Sequence, residues 1–155
     1  MKPHTCCFTG HRVLPANQIE HIIVRLNEEI DRLIGQRVTN FISGGALGFD
    51  QIAAALIIAK KEMGAEIRLI FALPCRNQDQ RWTAEQKQLY CDLLSEADEI
   101  HYISEEYSPG CMHKRNRHLV DNSDVCVCYL TKTRGGTAYT VNYAKQKGLR
   151  IINLV

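Results

Sequence analysis

The chain has 155 residues, with 19 Lys and Arg against 17 Asp and Glu, a formal charge of +2 and 45% hydrophobic residues. At this length about two thirds of the unfolded surface can be buried, so a core needs neither a metal nor a disulfide. No apolar run approaches the roughly 20 residues of a membrane span, and Met1 to Cys7 leads into a segment too short and polar for a signal peptide, so a cytoplasmic protein with no membrane partner is expected.

Strand and helix patterns alternate along the chain, with glycines where strands end. Thr5 to Thr9 reads as a first strand closed by Gly10-His11-Arg12. Asn17 stands as a helix cap with Glu20 three residues on, and Ile19, Ile22, Ile23, Leu26, Ile30, Leu33 and Ile34 follow at helical spacing up to Gly35. Val38 to Ser43 is a second strand, and Gly44-Gly45-Ala46-Leu47-Gly48-Phe49-Asp50 leads into a helix ending at Gly64. Glu66 to Leu73 is a third strand with Arg68 inside it, which suggests a position near a rim or edge.

Pro74 to Trp82 is the longest loop, and Thr83 with Gln86 forms a capping box for a third helix. A short strand over Glu99 to Ile103 precedes a fourth helix opened by Ser108-Pro109, with Pro in the first turn. Asp124 to Leu130 is the most apolar strand; Thr137 to Lys147 is a helix stopped by Gly148, and Arg150 to Val155 a last strand. The expectation is α/β: a Rossmann-like, doubly wound, mostly parallel sheet of about six strands with helices on both faces, forming one domain over residues 1–155.

The seven cysteines are odd in number and several lie in apolar segments, so they read as reduced small hydrophobes. In a strand, Cys126 and Cys128 share one face with Val127 on the other. Cys111, His113 and His118 lack the second clustered pair of a zinc site, and no metal or cofactor is expected.

Ligands of open parallel sheets bind beyond the carboxyl ends of the strands, which directs attention to three glycine turns. Gly44, Gly45 and Gly48 with Asp50 can form an anion-binding nest at a helix start, or simply a tight turn with a capping aspartate. The segment lacks the lysine and hydroxyl of a nucleotide-phosphate loop, and strand one offers only Gly10, short of the dinucleotide fingerprint. Gly135, Gly136 and Thr137 open the last helix beside Lys132 and Arg134. His11 and Arg12 place an imidazole and a guanidinium beside the same cleft, Arg being suited to bidentate phosphate contact. On the fourth helix Met112, Arg115, Asn116 and Leu119 share a side, so Arg115 and Asn116 point inward while Lys114 and Arg117 are solvated. Trp82 can stack a base or close a hydrophobic rim.

The order Thr9-Gly10-His11-Arg12, Ser43 to Asp50, Trp82, Arg115-Asn116 with Val120-Asp121 and Ser123-Asp124, then Gly135-Gly136-Thr137, resembles the YpsA-like proteins of bacteria and phages. These belong to the SLOG superfamily, which unites the DNA-processing protein DprA with the LOG enzymes. The resemblance implies a Rossmann-like domain whose turns bind a phosphate-bearing nucleotide or derivative, with single-stranded DNA as the DprA-like alternative, and it leaves room for a homo-oligomer. Arg115 matches the LOG arginine, whereas Thr140 stands where LOG enzymes carry their catalytic glutamate. The expectation is therefore binding or sensing through the residues above, with no catalytic residue assigned. The rival is a nucleoside monophosphate phosphoribohydrolase in which Asp50 or Glu85 replaces that glutamate.

Overall fold

Strand β1, Thr5–Gly10, has no polar face: Cys6 and Phe8 enter one layer of the core, Cys7 enters the other, and all three are fully buried. A strand covered on both faces belongs inside a parallel sheet. In the computed structural model, which describes residues 4–155, β1 lies between β2 (Asn40–Ser43) and β5 (Val125–Tyr129). With β3 (Arg68–Leu73), β4 (Glu99–Tyr102) and β6 (Arg150–Asn153), the sheet order is β4-β3-β2-β1-β5-β6. Every adjacent pair is parallel, so the fold is the expected Rossmann-like, doubly wound α/β architecture. The chain winds outward from β1 to β4, then crosses back to β5 on the other side of β1.

Helices α1 (Ile19–Gly35), α2 (Phe49–Glu62) and α3 (Ala84–Ser95) cover one face, packing Ile22, Leu26, Phe49, Ile57 and Leu93 against Phe8, Phe41, Phe71 and Val127. Fully burying a side chain of the size of Phe8 or Phe41 contributes about 1.5–3 kcal/mol. On the other face α4 (Cys111–Asp121) and α5 (Gly136–Gln146) lay Leu119, Val120, Val141 and Ala144 over Cys7, Cys126 and Cys128. Cys126 and Cys128 share that face and Val127 takes the other, and the cysteines are free thiols, all buried except Cys91.

Three local expectations are corrected. Asn17 does not cap α1: it lies in a 3₁₀ turn, Ala16–Gln18, closed by the Gln18 N–H donating to Pro15 O (2.9 Å), and α1 begins at Ile19 with no side-chain cap. Ile19 and Ile23 consequently fall outside the buried stripe, each 37% exposed. Pro109 precedes α4 rather than opening it, because Gly110 takes a left-handed conformation (φ 81°) and the helix starts at Cys111. The Thr83–Gln86 capping box is present, and Arg68 sits at the exposed start of β3, ion-paired with Glu99 on edge strand β4. No helix among the described residues is long and apolar enough to cross a membrane.

Candidate functional site

Strand order reverses between β1 and β5, and the loops leaving their carboxyl ends must diverge. His11 ties these loops together, its Nε2 accepting from the Thr131 N–H at 3.0 Å. Burial, and then the nearby Lys132, push the His11 pKa below its ordinary value, consistent with a neutral accepting ring. Between the loops and the start of α4 lies a cavity of about 480 Å³.

Arg115 reaches this cavity from α4 and is 5% exposed. Its Nη1 donates to Gly44 O at 2.6 Å, and its Nε donates to Asn116 Oδ1 at 2.9 Å. Asp50, 6% exposed, lies in the first turn of α2 beside it. Burial raises the Asp50 pKa to about 6, against the opposing pull of Arg115, the Ala46 N–H and Arg12. Arg115 is pushed downward by the same loss of solvent, with Asp50 opposing. Two buried charges that influence each other without closing into a direct ion pair are expensive to desolvate, so their position in a cavity points to use rather than to simple stabilisation.

The rim is different. Arg12, Lys132 and Arg134 are exposed, line the cavity, and have no carboxylate partner within ion-pair distance among the described residues. Elsewhere Arg25, Arg32, Lys60, Lys61, Arg68 and Arg76 all pair with acids. Three cations without acidic partners are thus gathered around this cleft, into which Gly136 brings the N-terminal end of α5.

The glycine turns separate into two kinds. A Cβ at Gly10 would lie 2.5 Å from Phe49 Cβ, at Gly44 2.6 Å from Arg115 Nη1, at Gly45 2.8 Å from Leu73 Cδ2, and at Gly48 2.7 Å from His11 O. Close approach of protein to protein accounts for all four. The amides of the second turn are also engaged internally: Gly45 N–H donates to Ser43 Oγ (3.2 Å), Phe49 N–H to His11 O (3.2 Å), and the Ala46 N–H to the Asp50 carboxylate. Gly44, Gly45 and Gly48 do not line the cavity, whereas Ala46 and Asp50 do. The nest expected at this turn thus holds the protein's own carboxylate.

The third turn behaves otherwise. Gly135 needs its glycine for a φ of 102°. Gly136 is not in the left-handed region, and a Cβ there would meet nothing closer than Asn116 Nδ2 at 3.8 Å. Neither conformation nor packing against the protein accounts for that glycine.

Gly10, His11, Arg12, Asp50, Arg115, Asn116, Gly135, Gly136 and Thr137 are thus brought together on one cavity. Trp82 is not: it meets Tyr90 edge to face (centroids 5.0 Å, 69°) and lines an adjoining cavity, also about 480 Å³, which shares Arg12 and Met112 with the first. Arg117 is half-buried rather than solvated, donating to Tyr139 Oη at 2.8 Å. Cys111, His113 and His118 go separate ways, to the Cys75 thiol, the Tyr139 ring and the His101 ring respectively. His113, stacked on Tyr139 at 4.1 Å, lines the cavity and was not singled out for this role in the sequence, although its spacing of three to Asn116 places both on one helix face.

Thr140 Oγ1 donates to Gly136 O at 2.8 Å inside the first turns of α5. Glu85 lies on the exposed first turn of α3 and lines neither of these cavities.

Fold and cleft together define a Rossmann-like domain with a basic pocket at its topological switch point. Residues 8–151 match the YspA SLOG family, and the chain belongs to it, as the order of motifs implied. It is 33% identical over 141 residues to the uncharacterised SPbeta prophage-derived protein YoqJ of Bacillus subtilis, covering 80% of this chain and 82% of that one. A UPF0398 protein of Halalkalibacterium halodurans is 28% identical over 132 residues, covering 83% and 70% of the two chains. Among solved structures, DNA processing protein A from Helicobacter pylori, described for its single-stranded DNA binding mode, superposes with a TM-score of 0.66 at 19% identity. That likeness, which is one of fold, covers 97% of this chain but only 64% of the other.

Proposed function

We propose that the cleft between β1 and β5 binds a phosphate-bearing nucleotide or nucleotide derivative, and that the protein acts by binding or sensing it. The observation that carries this reading is the cluster of unpaired cations, Arg12, Lys132 and Arg134, around a cavity into which Gly136 opens the N-terminus of α5. Cations without acidic partners favour an anion, and the small Gly136 allows an oxygen to approach the helix backbone. Arg115 supplies charge from the floor, and the His113 ring, stacked on Tyr139, borders the same space. The fold relationship to a single-stranded DNA-binding protein agrees with a nucleotide-like ligand.

Native mass spectrometry of gently purified protein, followed by calorimetry against mononucleotides, dinucleotides and a short oligodeoxynucleotide, tests the reading. The expected result is saturable binding of a small nucleotide, weakened about tenfold by Arg12→Ala, since a hydrogen bond to a charged group contributes about 1.5–3 kcal/mol and exposure puts Arg12 at the lower end. Absence of binding across the panel would sink it. Preference for the oligodeoxynucleotide over every small nucleotide would transfer the site to strand binding.

One observation favours a second reading, a hydrolase: the Asp50 carboxyl, with its pKa near 6, lies beside a buried arginine in the cavity. It is a candidate general base for cleavage of an N-glycosidic bond.

A further inference from the structure

The basic cleft accounts for phosphate, and Trp82 stands apart from it. The adjoining cavity adds aromatic and amide surface. Its walls include Trp82, Tyr107, Arg81 and the carboxamides of Asn77, Gln78 and Gln80, and Arg12 and Met112 belong to both cavities. We infer that this second cavity is a nucleobase pocket: the ligand's phosphate occupies the cleft beside Arg12 and its base enters between Trp82 and Tyr107, within reach of Gln78. The inference rests on the anion-binding reading of the first cavity and adds to it where the base goes.

Three observations support it. The edge-to-face contact with Tyr90 leaves at least one indole face free of that ring, and Tyr107 is 66% exposed, so flat aromatic surface is available for stacking. Base-on-aromatic stacking tolerates any base, because every base has a π-face. Next, Gln78 Nε2 donates to Tyr90 Oη at 3.0 Å, while Gln78 Oε1 is the one buried side-chain oxygen or nitrogen among the described residues without a partner. An acceptor left unmade inside a protein costs free energy, and an N–H on a base edge would satisfy it.

The walls are also clasped in advance. The Arg76 N–H donates to Glu105 O (3.1 Å), the Tyr107 N–H donates to Asn77 Oδ1 (3.1 Å), and the Arg76 guanidinium lies 4.1 Å over the Tyr102 ring. Asn77 Nδ2 in turn donates to Gln80 Oε1 at 3.1 Å. The first two bonds join the β3–α3 loop to the loop before α4, and the others brace the first loop internally and against β4, so little ordering remains when a flat ring enters.

Because Trp82 is the chain's single tryptophan, its fluorescence reports on this pocket alone. The experiment titrates the protein with AMP, GMP, CMP and UMP, with ribose 5-phosphate, and with a short oligodeoxynucleotide, reading Trp82 emission and calorimetric heat in parallel. The expected result is that ribose 5-phosphate binds without changing emission, while at least one mononucleotide binds about tenfold more tightly and quenches it. Gln78→Leu and Trp82→Phe should weaken that mononucleotide severalfold and leave ribose 5-phosphate unchanged, which a general loss of fold would not do. Equal affinity for ribose 5-phosphate and every mononucleotide, with unchanged emission, overturns the base pocket while leaving the anion cleft intact. Quenching by the oligodeoxynucleotide and by no mononucleotide assigns the pocket to a strand and overturns the present proposal. If neither ribose 5-phosphate nor any nucleotide binds, the anion cleft fails and the base pocket fails with it.

Discussion

The guanidinium of Arg115 closes on the carbonyl of Gly44, with Nη1 donating at 2.6 Å, and joins a helix start on one face of the sheet to the turn that opens α2 on the other. A Cβ at Gly44 would lie 2.6 Å from that nitrogen and 2.9 Å from Asp50 Oδ2, so both charged groups converge on one hydrogen-sized space. Arg115→Ala should therefore cost stability as well as ligand affinity, roughly 2–4 kcal/mol by urea denaturation, because Asp50 is left buried without its cation. Lys114→Ala, on the exposed side of α4, should stay within about 0.5 kcal/mol. Equal losses in the two variants would contradict this account of the pair.

Gly136 and Gly48 offer a contrast in one experiment. Gly48→Ala places a Cβ against the backbone of His11 and Arg12 at a φ of 80°, and should lower thermal stability clearly. Gly136→Ala meets no such obstacle, and alanine is the better helix former, so this variant should melt at or above the parent temperature. Calorimetry should nevertheless find its affinity for the nucleotide reduced, since the methyl fills the space over the α5 amides. Full affinity in folded Gly136→Ala would remove the last helix from the site.

The pH dependence of Asp50 has a definite sign. Its folded pKa is raised to about 6, from the model-compound value of 3.8. A carboxyl raised in this way favours the native state most below its unfolded pKa. That contribution disappears as pH climbs from about 4 through about 6, by on the order of 1–3 kcal/mol. Stability measured against Asp50→Asn should show this window as a difference curve; a flat difference would place Asp50 in ordinary solvent. Affinity for a phosphodiester nucleotide, which lacks the second phosphate ionisation near pH 6, should likewise rise as pH falls through about 6 and Asp50 becomes neutral.

Hydrolysis of nucleoside monophosphates should be absent or very slow. The Thr140 hydroxyl is hydrogen-bonded to Gly136 O and carries no charge to stabilise a ribose cation, and Glu85 does not line the cavity. Incubation with AMP, GMP, CMP and UMP, followed by chromatography for free base, checks this. Several turnovers per minute, abolished in folded Asp50→Asn, would make Asp50 the base of an active hydrolase.

Much of this protein was legible along the chain, because strand and helix periods and turn residues are local signals. The alternation of six strands with five helices, the opposite faces of Val127 and its two cysteine neighbours, the Thr83–Gln86 cap and the inward side of Arg115 and Asn116 all follow from spacing and side-chain chemistry. Spacing could not say why a glycine stands at a given position. Gly44, Gly45 and Gly48 look like a phosphate cradle in the sequence, yet their missing side chains, like that of Gly10, make room for Arg115, Leu73, the His11 backbone and Phe49, each remote in sequence from the glycine it meets. Asp50 likewise reads as a helix cap until Arg115, sixty-odd residues later, is folded against it. Whether a small residue leaves space for a ligand or for the protein itself depends on what the rest of the chain brings to within a few ångströms, and only tertiary packing decides that.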